Sequence, residues 1–202
     1  MRGNSVKEQT EKAAKKTVRA DAQRNENTIL EVAKSLFSKY GVDVPVRKIA
    51  TESGVGVGTV YRRFPKRSDL VAAVFRREVD ACVRYAETVQ QNHQPGEALT
   101  LWFIRYTEFI ATKRGLAAAL HSKDPAFASL PIYFRSNFEP ALKALLDAAA
   151  KSGEIRTDIA PYDLLRAIGG LAMANGDDGT EYEHSMVKLM IDGLRFGADQ
   201  TR

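Results

Sequence analysis

The chain has 202 residues, 44% apolar and 27% charged, the balance of a globular protein long enough to bury a sizeable core. No run of about eighteen apolar residues argues for a membrane span. The single cysteine, Cys82, rules out an internal disulfide, and the scattered His93, His121 and His184 build no metal cluster. Residues 1–80 hold 17 Lys/Arg against 10 Asp/Glu, whereas residues 81–202 hold 13 against 15, so a net charge of +5 conceals a basic front and a nearly neutral body. A polyanion partner for the front is one reading of this asymmetry, and a solvated charged surface is the plainer one. The polar N-terminus has no apolar segment behind it, so a cytoplasmic chain without a secretory signal is expected.

Residues 1–21 lack apolar periodicity and read as a basic, flexible arm. A first helix follows, with Ile29, Val32/Ala33, Leu36/Phe37 and Tyr40 at helical spacing and Gly41 as its stop. Pro45 suits the first turn of a short second helix burying Val46, Ile49 and Ala50, and Gly54 ends it. A third helix runs from about Gly56 to Arg63 and is broken by Pro65. A fourth starts near Ser68-Asp69 and buries Leu70, Val71, Val74 and Phe75. Leu99, Trp102, Phe103, Tyr106 and Phe109/Ile110 form one later stripe, and Phe134, Phe138, Leu142, Leu145 and Ala149 another. Pro161 opens a helix carrying Leu164, Leu165, Ile168 and Leu171, and a last helix carries Tyr182, Met186, Leu189/Met190 and Leu194. The expectation is an all-α fold of about nine helices without strands.

The stretch GVGVGTVYRRF, Gly54 to Phe64, carries the chemistry. A nucleotide cradle needs GxGxxG or Gly-Lys-Ser/Thr after an apolar strand; here the spacing is GxGxG and an amphipathic helix precedes it. Two short helices joined at Gly54 under a longer first helix have instead the layout of a helix-turn-helix unit, whose second helix enters the DNA major groove. Gly54 supplies the turn's backbone angles, and Gly56 and Gly58 leave the groove-facing end bare. Thr59, Tyr61, Arg62 and Arg63 are donors for phosphates, with Arg47 and Lys66 beside them, while Val60 and Phe64 face Ile49 and Phe37.

The run from Ile29 to Leu70 resembles the DNA-binding domain of TetR-type bacterial transcriptional regulators. Ala33, Leu36-Phe37, Gly41, Ile49-Ala50, Gly54-Val55, Gly58-Thr59-Val60-Tyr61, Phe64 and Lys66-x-x-Asp69-Leu70 carry the likeness. It implies phosphate contacts at Thr59, Tyr61 and Lys66. Where the family often has Ser-Lys this chain has Gly56-Val57, which removes a base-reading lysine and leaves Val57 only apolar contact to a thymine methyl. It also implies a domain plan: an arm at 1–21, a helix-turn-helix domain at 22–67, and a helical ligand-binding and dimerisation domain at 68–202. Partners would be a palindromic double-stranded DNA operator, a small and mostly apolar effector, and a second copy joined through the last two helices, whose apolar faces (Leu165, Ile168 and Leu171; Met186, Leu189 and Met190) exceed what one monomer's core needs and whose Gly169-Gly170 and Gly193 allow close approach. No membrane partner, metal or cofactor is expected.

The effector pocket falls to Trp102, Phe103, Tyr106, Phe109, Phe134 and Phe138, with His121 and Asn175 as polar groups near them. Taken alone, such stripes are more often core than ligand cage, and it is the resemblance that turns the region into a pocket; His121 is as readily a helix end. An all-helical enzyme and a helical adaptor are the competing classes. The first lacks any nucleophile–base pair, metal constellation or cofactor fingerprint.

Overall fold

The computed structural model describes residues 3–174 and 179–196, and these form helices with no strand among them. In chain order they are α1 (Gly3–Tyr40), α2 (Val46–Ser53), α3 (Val57–Arg63), α4 (Arg67–Asn92), α5 (Pro95–Gly115), α6 (Ala117–Leu120), a 3₁₀ turn at Pro125–Phe127, α7 (Leu130–Lys151), α8 (Pro161–Ala174) and α9 (Gly179–Arg195). The first helix begins at Gly3, where a flexible arm was expected. Its first half is rich in Lys, Glu, Gln and Ala, which favour helix by intrinsic propensity without an apolar face, and periodicity does not register that preference.

The end of α1, with α2 and α3, forms a small head around Ile29, Ala33, Phe37, Ile49, Val60 and Phe64, all buried. A seven-residue helix such as α3 does not persist alone, and burying Val60 stabilises it by about 1.5–3 kcal/mol. Gly41 and Gly54 take left-handed angles, φ 77° and 68°, and end α1 and α2. Tyr40 departs from the expected apolar stripe. It is 52% exposed, because the helix turns its face outward at its last residue and the ring serves a cation instead.

Helix α4 joins head to body. The Asp69 carboxylate accepts the Lys66 backbone N–H at 3.0 Å and so caps the helix start from within its first turn. Further along, α4 packs on α5 and α7, and α8 closes over α5. Cys82 lies within this packing, and burial pushes its thiol up to about 12.

One charged residue sits inside the junction. Glu78 of α4 is 2% exposed. It accepts Lys34 Nζ of α1 at 2.8 Å and Arg105 Nη2 of α5 at 3.1 Å. Burying a carboxylate is costly without such partners, and removing it leaves Lys34 unpaired there and Arg105 with only Glu108, 3.4 Å away. Glu78→Ala is therefore expected to cost about 3–5 kcal/mol of stability, read as a lower denaturant midpoint with little change in slope. A loss below about 1 kcal/mol would show that the ion pairs do not hold the junction.

Candidate nucleic-acid interface and effector cavity

Between α2 and α3 the Gly54 N–H donates to Thr51 O at 3.2 Å and the Val55 N–H to Ala50 O at 3.1 Å, so the left-handed glycine closes the end of α2. Extended Gly56 then caps α3, whose first bond is Thr59 N–H to Gly56 O at 2.8 Å. With Val60 turned inward, the outer face of α3 presents Gly58, Tyr61, Arg62 and Arg63. Arg47, Gly56 and Lys66 are likewise exposed. Thr59 is half-buried, 3.5 Å from Arg62 Nη2, and Val57 is half-buried against the chain's own core.

Gly58 is informative because nothing inside the chain requires it. Its φ is not positive, and a Cβ there would meet no atom within 4 Å. Glycine in a helix costs up to about 1 kcal/mol relative to alanine. The glycine leaves that part of the outer face of α3 bare.

Several neighbours fix this face in place, and sequence spacing did not find them. Arg67 Nη1 donates to the carbonyls of Val42 and Val44, the latter at 2.8 Å, tying the α1–α2 loop to the start of α4. Glu26 of α1 pairs with Arg63, so that guanidinium braces α3 against α1 while staying half exposed. Lys48 Nζ lies 4.0 Å from the Tyr40 ring centroid, with Lys39 at 5.1 Å. Hydrogen bonding to Lys39, and then the charges of Lys39 and Lys48, lower the Tyr40 phenol pKa. These pairings join residues too far apart, or too ordinary in type, to form a motif.

A cavity of about 470 Å³ opens in the body, lined by Phe75 of α4, Tyr106, Ile110 and Lys113 of α5, Phe134 of α7, and Leu165 and Gly169 of α8, among others. Of the expected pocket residues it takes Tyr106, His121 and Phe134. Trp102, Phe103, Phe109 and Phe138 form the closed core behind it: Trp102 stacks on Tyr106 at 5.5 Å, and Phe109 and Phe138 lie 5.0 Å apart. The helical period had given the face of α5 correctly, but four aromatics of that face and of α7 fill space between helices. Asn175 lies outside the described residues. The Tyr106 hydroxyl donates to Leu165 O at 3.1 Å, so it holds α8 to α5, and burial raises its pKa. Gly169 faces this hydroxyl, which a Cβ would approach to 3.5 Å; it therefore shapes the cavity, and not the helix contact with a second copy that was expected of it.

Cavity and head touch. Gly115 ends α5 against the last turn of α1, where an added Cβ would stand 3.1 Å from Phe37 O. Its neighbours Lys113 and Ala117 belong to the cavity wall.

Among known families, the model described as bacterial regulatory proteins, tetR family, matches residues 29–74. The one described as transcriptional regulator SbtR-like, C-terminal domain, matches residues 94–196, half of the chain. The chain belongs to the TetR family of transcriptional regulators. A TetR transcriptional regulator from Streptomyces coelicolor is 35% identical, with a TM-score of 0.74 over 84% of this chain and 98% of that one. A TetR regulatory protein from Mycobacterium vanbaalenii is 34% identical, with a TM-score of 0.68 over 88% and 99%. An HTH-type transcriptional regulator of Staphylococcus aureus is 35% identical over 77 residues, so the match spans 38% of this chain and 42% of the length of that curated relative. The described residues hold no helix long and apolar enough to cross a membrane.

For a TetR-family head the open face at Gly58 predicts opposite effects on folding and binding. Gly58→Ala should stabilise the fold by up to about 1 kcal/mol, read as a higher unfolding midpoint, while weakening binding to duplex DNA measured by fluorescence anisotropy. A variant that gains stability and binds DNA undiminished would remove the reason for the glycine.

Proposed function

We propose that this TetR-family chain is a homodimeric repressor that reads a palindromic operator with α3 and leaves it when a small, mostly apolar inducer enters the cavity. The observation that carries the DNA half is the exposed, glycine-cleared face of α3, flanked by Tyr61, Arg62 and Lys66 and held from behind by Val60. Phosphate contacts position such a helix, and the bare glycines let it press into the groove. Lys66 and Tyr61 are the positioning donors in this reading, and Arg62 is a candidate base reader. Arg47 and Thr59 flank them.

A second copy is needed because one helix-turn-helix unit reaches too few phosphates and bases for specific affinity. The last two helices remain the proposed interface, in a reduced form. Leu165 and Ile168, expected to meet a partner, are buried in the chain's own core. Leu171 has no described side chain, so it adds nothing to either side. What stays outward is Leu189 and Gly193 on α9 and Phe196 one residue past its end, where its N–H still donates to Asp192 O at 3.1 Å, at 64% exposure for Leu189 and 80% for Phe196. Their spacing of four and three residues puts them on one stripe, with exposed Ala167 and Gly170 available on α8. Twofold pairing there would set the two α3 helices about 34–36 Å apart for successive major grooves.

Induction follows from what the cavity touches. Phe75 belongs to α4, which starts at Arg67 with Lys66 just before it at the edge of the head, and Gly115 adjoins the end of α1. A ligand wedged against Phe75 and Phe134 displaces these contacts and changes the spacing of the two heads. A preference of 1–3 kcal/mol for the displaced state lowers operator affinity about 5- to 150-fold.

Two measurements test the reading. Anisotropy titrations across salt should give log K falling linearly in log salt on a specific duplex, with a random duplex bound far more weakly, and Lys66→Ala should reduce the slope by about one unit. Equal affinity for both duplexes, with light scattering showing a monomer, would contradict it. For induction, Phe134→Ala should blunt the response to a ligand that releases the operator while leaving DNA affinity in its absence nearly intact. An unchanged midpoint in that folded variant would place the effector elsewhere.

A further inference from the structure

The cavity has a charge pattern as well as a shape. Its lining is mostly carbon, yet it includes the Lys113 ammonium, the His121 imidazole and the Arg166 guanidinium, and no aspartate or glutamate among the described residues. Two of these lie at the mouth, since His121 and Arg166 are exposed. Lys113 stands further in. It is half-buried and follows Tyr106 and Ile110 at helical spacing, so the three share the face of α5 that the cavity opens onto. The other polar group on that face, the Tyr106 hydroxyl, is already spent on Leu165 O at 3.1 Å. Tyr162 of α8 lies under the Arg135 guanidinium, 4.2 Å from it.

Lys113 is half-buried in a cavity wall that also includes Phe75, Leu130 and Phe134, and partial loss of water around an ammonium is a cost that an anion of matching size offsets. Burial lowers the Lys113 pKa, the same cost expressed as protonation. The inner end of the cavity offers one cation, Lys113, with Arg166 out at the mouth, so a monoanion is matched there while the second charge of a dianion would rest against carbon walls. Gly169 keeps space open beside Tyr106 for the ligand body.

We infer that the effector of this regulator is an apolar monocarboxylic acid whose carboxylate meets Lys113 while its hydrocarbon body lies against Phe75, Leu130 and Phe134. The inference rests on the ligand-responsive reading of the cavity, and it adds a charged head to an effector otherwise described only as apolar. Lys113 sets specificity for the acid, and Arg166 with His121 forms the entry through which an anion passes.

The test is calorimetric titration of the full-length protein at neutral pH with hexanoate, octanoate, decanoate and naphthaleneacetate, each beside its primary amide. At least one acid should bind tenfold or more tightly than its amide. Lys113→Met should abolish that preference by weakening the acid while the amide still binds, and Arg166→Gln should reduce it less. Retained amide binding shows that the Lys113 variant has kept its cavity, so loss of fold cannot imitate the result. Acids that bind no tighter than amides, or a preference that survives Lys113→Met, overturn the inference. If amides bind and release DNA as well as acids do, the ligand-responsive reading stands and the acid head alone falls. If no member of either series binds, this inference falls, and operator release by a neutral molecule then decides whether the broader reading falls with it.

Discussion

The geometry depends most on a carboxylate that water does not reach. Glu78 sits where three helices from different parts of the chain meet, and its two short ion pairs, to Lys34 and Arg105, fix α1, α4 and α5 to one another. Apolar packing alone tolerates sliding, because one methyl replaces another at small cost. A buried charge does not, since a displacement that separates it from its cations forfeits the interaction that made its burial tolerable. The register of head on body is therefore set electrostatically, within a junction otherwise filled by carbon.

A second clamp works at the first residue of α4. Arg67 reaches across to the Val42 and Val44 carbonyls, groups that a loop would otherwise leave to water. Between the two clamps α4 behaves as a rod held at both ends of the head, and Phe75, two turns beyond Arg67, extends from it into the cavity wall. In the proposed induction, a ligand that displaces Phe75 acts on the head through α4, because packed interiors shift between discrete arrangements more readily than they deform. The end of α5 at Gly115 supplies a parallel contact with α1 through backbone alone.

How far this was legible in the sequence follows from the range of each interaction. The head could be read because its determinants are local: Gly54 takes the left-handed angle that a turn between two short helices requires, and Val60 falls on the buried side three residues after Val57 begins the helix. The stripes of α5 and α7 were legible as faces. Their division into core and cavity was not, since Trp102 and Phe134 carry the same periodic signal and differ only in what the opposing helix brings to them. Glu78 and Arg67 gave no signal, because a charged residue in a helical pattern reads as solvent-facing until its partners, decades of residues away, are placed beside it. Gly169 and Leu165 were assigned to a partner copy because nothing in α8 tells one apolar neighbour from another; in the fold Gly169 faces the Tyr106 hydroxyl and the Leu165 carbonyl accepts it.

Reading by α3 is the claim on which the rest converges, and it is tested most directly by capturing the genomic fragments that bind the purified protein and footprinting them with and without Tyr61→Ala. The account predicts enriched fragments sharing an inverted repeat, with two protected half-sites centred about 10–10.5 base pairs apart or a multiple of that, and loss of protection in the variant at equal concentration. Fragments without a shared sequence, or a footprint that Tyr61→Ala leaves intact, would contradict it.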